Sequence, residues 1–152
     1  MKRSALVLVP ALALVLAAAA FGAIRVKHFQ GTVDDDLCGG SQVTCDVEFD
    51  ATSVNKRVTE VDNFKIAGIP MQCDQATIVV QTLEGLELDW VHVNRKRKFH
   101  ASASGSPNAE ITVKGRFSKN FKTARGTLVN TLSDPPQVTN CTTGVDHWVA
   151  RP

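Results

Sequence analysis

From Ile111 to Phe117 apolar and polar residues alternate. Ile111, Val113, Gly115 and Phe117 fall on one parity, and Thr112, Lys114 and Arg116 on the other. A period of two predicts a strand with one apolar face and one charged face. Ser118-Lys119-Asn120 reads as a turn, and Ala124, Gly126 and Leu128 then share a face of a returning strand. A glycine inside a strand pattern marks a bulge, a bend or a place where a large ring packs on the backbone. Gly115 and Gly126 are such positions, and Trp148 is the ring expected over them. In the final segment Trp148 and Ala150 share one face, and His147, Val149 and Arg151 the other.

The same alternation recurs upstream. His28–Val33 is a first strand, and Val43, Cys45, Val47 and Phe49 alternate with polar residues in a second. Across Arg57–Ile66 the alternation slips between Val58 and Val61, predicting a bulge or two short strands, with Gly68-Ile69-Pro70 as the stop. Ala76–Leu83 is rich in β-branched residues, and Leu86–Val93 follows as its partner. Phe99, Ala101 and Ala103 alternate in a further strand, and Asp134-Pro135-Pro136 breaks the chain before Cys141. The pattern predicts an all-β, antiparallel fold, a β-sandwich or small β-barrel of about 8–9 strands after an N-terminal signal helix.

That N-terminal segment has a different character. Lys2-Arg3 precedes an apolar run from Ala5 to Ala20, and small residues follow to Ala23. Residues 1–22 are read as a secretory signal peptide, with a membrane anchor as the alternative, and residues 23–152 as a single all-β domain. The chain has 17 Lys and Arg, two of them in the leader, against 15 Asp and Glu. The domain is therefore near neutral, which argues against nucleic acid as a general partner.

Four cysteines, Cys38, Cys45, Cys73 and Cys141, in an exported chain read as two disulfides. Of the three pairings, Cys38–Cys45 and Cys73–Cys141 are expected: one closes a short Gly39-Gly40 loop, the other ties mid-chain to the end. A Cys-x6-Cys spacing without a Cys-x2-Cys pair suits zinc poorly.

The segments Ile111–Ser118, Phe121–Leu128 and Cys141–Arg151, together with Gln42–Phe49 and Lys56–Phe64, resemble small secreted all-β proteins common in actinobacteria and their relatives. The shared shape is roughly G-x-F, A-x-G-T-L, C-x-T-G and W-x-A, and it spans most of the domain. The resemblance implies a fold and an export route, not an activity. The Cys38/Cys45 pair departs from the shared pattern.

Candidate chemistry is sparse. Arg95-Lys96-Arg97-Lys98 is the densest charge run, suited to an anionic cell-surface polymer or to a solubilising turn. Trp90, His92 and Asn94 share a parity and would line a pocket if that face were covered. Asp34-Asp35-Asp36 lacks the spacing of a calcium loop, and no Gly-x-Ser-x-Gly elbow occurs. No catalytic residue, metal site or cofactor is expected. The reading is a secreted or cell-surface, non-catalytic β domain with a binding or envelope-structural role. A small-molecule-binding barrel and an extracellular hydrolase are the alternatives, and a membrane partner is expected only if the leader is retained.

Overall fold

The computed structural model describes residues 23–34, 38, 45–74, 77–82, 88, 90–105, 108–134 and 139–152. The signal helix or anchor expected over residues 1–22, Asp35 and Asp36 of the acidic loop, and Leu86, Glu87 and Asp89 of the expected Leu86–Val93 strand lie outside them. No helix among the described residues is long and apolar enough to cross a membrane.

The described chain is all-β. Its strands are β1 (Ile24–Asp34), β2 (Asp46–Val54), β3 (Arg57–Cys73), β4 (Thr77–Thr82), the two-residue β5 (Val91–His92), β6 (Lys98–Gly105), β7 (Ala109–Phe117), β8 (Ala124–Asp134), β9 (Thr139–Thr142) and β10 (Asp146–Arg151). Every pairing is antiparallel. Strands β10-β1-β2-β3-β9-β8 follow one another, and β8 pairs with β10, so six strands close into a barrel. On its far edge β8 pairs with β7, and β7 with β6. The Val93 N–H donates to the Thr59 carbonyl and the Asn94 N–H to the Lys98 carbonyl, which ties β6 back towards β3. Closure of this kind leaves few unpaired strand edges. Part of β1 keeps an open edge among the described residues: β2 covers Ile24–Thr32, whereas β10 reaches only Gln30–Asp34.

Aromatic rings fill the centre. Phe29, Phe49, Phe117 and Trp148 are fully buried and come from four different strands. Phe29 stacks on Phe49 at 5.1 Å, Phe49 on Phe64 at 5.3 Å, and Trp148 meets Phe49 edge-on at 5.9 Å. Offset and edge-on pairs of this kind stabilise by roughly 0.5–1.5 kcal/mol beyond their burial. The two interior glycines make room for the rings. Gly126 lies opposite Trp148 and Gly115 opposite Phe99. A side chain at 126 would meet the Lys114 carbonyl and the indole, and one at 115 would overlap the Phe99 ring. Trp148 thus covers one of the two glycines as expected, while Phe99 covers the other.

Both expected disulfides are present, Cys38–Cys45 and Cys73–Cys141. The second joins β3 to β9, where Cys73 and Cys141 are register partners packed with Met71 against Leu132.

One expectation about β3 needs correction. Gly68-Ile69-Pro70 does not stop the strand, which runs on to Cys73. Gly68 adopts φ +70°, a conformation open to glycine at little cost, and lets the chain turn while the ladder continues onto β4. The slip between Val58 and Val61 is a bulge in one long strand rather than a break: the β2–β3 register shifts at Thr52/Ser53 and again at Glu48/Asp50. Asn63, at φ +52°, sits in the second irregularity and donates to Asp50 Oδ2 at 2.8 Å.

Candidate functional site

The outer faces of β6, β7 and β8 carry what the inner faces cannot. Phe99, Val113, Phe117, Ala124 and Leu128 point into the core, so residues of opposite parity point out. Register then sets them in rows. Lys98 lies opposite Arg116, and Arg116 opposite Arg125. One step along, His100 lies opposite Lys114, Lys114 opposite Thr127, and Thr127 opposite His147. Neighbours within a row are about 5 Å apart and the rows about 7 Å apart.

Around these rows is a groove of about 610 Å³. Lys98, Lys114, Arg116 and Arg125 supply its charge, and His92 and His100 its imidazoles. Backbone at Gly115 and Gly126 forms part of its floor, with Phe99 also in the lining. None of its described lining residues is a carboxylate. Among the described residues the one side-chain ion pair is His28–Asp50, on another part of the barrel. The four groove cations therefore have no described carboxylate within salt-bridge distance. Like charges directly opposite one another destabilise a sheet, so a row of Lys98, Arg116 and Arg125 is not what strand pairing alone would select.

The sequence-predicted residues are partly gathered here. His92 and Asn94 line the groove, and Lys98 forms one corner. Trp90 does not join them. It has φ +58°, which breaks the alternation before β5, and it stands 74% exposed with its N–H on Asp62 Oδ1 at 2.6 Å. Arg95 and Lys96 form the exposed tip of the β5–β6 turn, which Asn94 organises by accepting from the Lys96 and Lys98 N–H groups. Arg97 turns away at φ +62° and donates from Nε to the Phe117 carbonyl at 3.3 Å. The run of four cations is thus divided: two at a turn tip, one latched to β7, one in the groove.

Sequence reasoning missed Lys114, Arg116 and Arg125 as site residues. A signal existed in the distribution of charge. Between Trp90 and Ser133 stand nine Lys and Arg and a single acid, Glu110, whereas the other fourteen acids lie outside that span. Net neutrality conceals a strongly basic segment, four of whose cations line the groove.

The other polar cluster is His28 Nδ1, which hydrogen-bonds Asp50 Oδ1 at 2.9 Å, with Asn63 on the second carboxylate oxygen. The Asn63 amide and, after it, His28 hold the Asp50 carboxyl below the usual aspartate range. The cluster pins the β2–β3 bulge. No group of three or more His, Cys, Asp or Glu among the described residues could hold a metal ion. No protein-family model, curated protein or solved structure matches the chain.

Proposed function

We propose that the protein is an exported binding module that holds an anionic cell-surface polymer along the β6–β7–β8 groove. The observation that carries this reading is the pair of cross-strand rows in which Lys98, Arg116, Arg125 and Lys114 converge without a facing carboxylate among the described residues. Cations spaced at sheet intervals suit a chain bearing repeated phosphate or sulfate groups better than a single compact ion. Arg116 and Arg125 offer planar forks for oxyanions, and Lys98 and Lys114 offer mobile point charges. The acidic remainder of the surface would repel the same polymer and fix its orientation.

Export fits the same reading. The leader has a basic start and a small-residue end, and two disulfides suit an oxidising compartment. Membership among the small secreted β proteins that the sequence resembles is part of this proposal. Within it, the protein is secreted or surface-attached and acts by binding.

Calorimetric titration with short-chain inorganic polyphosphate tests the site. Lys114→Glu with Arg125→Glu should lower the affinity at least tenfold while the unfolding midpoint stays near that of the parent. Equal affinity in parent and variant would remove the groove from the binding surface.

A further inference from the structure

A second cavity opens at one end of the barrel, and strand parity makes it unusual. On β1 the core-facing residues are Phe29 and Val33. Two and four residues before Phe29, the same parity carries Lys27 and Arg25, so two cations occupy the face that elsewhere is apolar. Their partners on β2 are Ala51 and Ser53, which continue the inward parity of Val47 and Phe49. The opposite wall comes from Phe121, in the β7–β8 turn, whose ring packs on Phe117 at 6.3 Å. Phe29, Ala51 and Val58 form an apolar floor to a cavity of about 450 Å³. Lys56, at the tip of the β2–β3 hairpin, adds a third cation to the rim.

Among the described residues no carboxylate lines this mouth, and none of Arg25, Lys27 and Lys56 pairs with a described acid. The volume lies within the range of small-molecule sites. An apolar floor ringed by unpaired cations is complementary to a molecule with an apolar body and one anionic end. The filled centre of the barrel stops such a ligand from passing deeper than Phe29. We propose that this mouth binds a single free amphiphilic acid, its body over Phe29 and Phe121 and its carboxylate among Arg25, Lys27 and Lys56. This site is separate from the groove and stands or falls independently of it. The competing account is that inward charges on the uncovered stretch of β1 only guard an open edge.

Backbone amide NMR of the purified protein, titrated with decanoate below its micelle concentration, decides between them. The expected result is saturable one-to-one binding, with shifts confined to Ala23–Phe29, Ala51–Val58 and Asn120–Phe121. Arg25→Glu with Lys27→Glu should weaken it at least tenfold, Lys56→Glu alone should weaken it measurably, and Lys114→Glu should leave it unchanged. Decanol should bind at least tenfold more weakly than decanoate. Absence of saturable shifts, equal binding of decanol, or shifts produced by phosphatidylglycerol vesicles but not by decanoate would each overturn the proposal. Lys56 lies in an exposed turn, so its variant remains informative should the double variant fail to fold.

Discussion

Trp148 on β10 lies directly across from Gly126 on β8, and the indole occupies the space that a side chain at 126 would fill. This pairing closes the barrel, because β8–β10 is the seam that joins the two ends of the six-strand run β10-β1-β2-β3-β9-β8. Gly126→Ala would drive a methyl against the Lys114 carbonyl as well as the ring, and backbone yields less readily than a side chain. A loss of about 1–3 kcal/mol, or somewhat more, is expected from overpacking. Gly115→Ala meets only the Phe99 ring and should cost less. Urea unfolding of the two variants checks the order; a more stable G126A would show that the seam is looser than described.

The disulfides should contribute unequally. Cys73–Cys141 spans 68 residues and Cys38–Cys45 only 7. Loop-closure entropy gives roughly 4 kcal/mol for the long bridge and roughly 2.5 kcal/mol for the short one. Cys141→Ser should therefore lower stability more than Cys38→Ser. Unfolding midpoints of the two single variants under identical conditions give the comparison, and a reversed order would mean the short loop holds more than its own closure.

Charge in the groove should oppose stability. Arg116 lies between Lys98 and Arg125, so Arg116→Thr removes two like-charge neighbours and places a β-branched residue in a strand. Stabilisation of about 0.2–1 kcal/mol at low salt is expected, together with weaker polyphosphate binding. The gain should shrink as salt screens the row. A destabilised variant at low salt would show that Arg116 supports the fold by contacts other than charge.

How far the sequence reveals this arrangement depends on the kind of information needed. Alternation along Ile111–Phe117 and Asp146–Arg151 shows which faces are buried, because the strand period is local and one-dimensional. The disulfide partners follow from cysteine count and loop closure, since four cysteines allow three pairings and the short Cys38–Cys45 loop leaves Cys73 for Cys141. The groove follows from neither. Lys98, Lys114, Arg116 and Arg125 each look like an ordinary solvated position, and only the β6–β7–β8 register brings them together. The compact run Arg95–Lys98 draws the eye instead, yet turn geometry disperses it. Trp90 is lost from the expected face for a related reason: its positive φ is a backbone event that alternation does not register.

Acid should weaken the β2–β3 bulge. In the folded protein the Asn63 hydrogen bond, then His28, lowers the Asp50 pKa. A group depressed on folding contributes stability above its unfolded value, near pH ~4, and loses that contribution as pH falls through the folded value. Asp50→Asn should therefore be less stable than the parent from pH 7 down to about pH 5, and the two should converge below about pH 3. Asp50 is partly exposed and its partner His28 more so, so solvent screens the pair and the difference is expected to be small. Melting temperatures across that range test it; parallel curves down to pH 2 would show that the pair does not titrate with folding.

The groove on β6–β7–β8, and not the Arg95-Lys96 turn tip, is the proposed seat of the anionic polymer. Salt elution from a heparin matrix tests it most directly, using the parent, Arg95→Ser with Lys96→Ser, and Lys114→Ser with Arg125→Ser. Each pair removes two positive charges, so net charge alone predicts equal losses. The groove variant is expected to elute at much lower salt than the parent, and the turn variant close to it. Loss of retention in the turn variant with retention kept in the groove variant, or no retention of the parent at 0.15 M salt, would contradict the account.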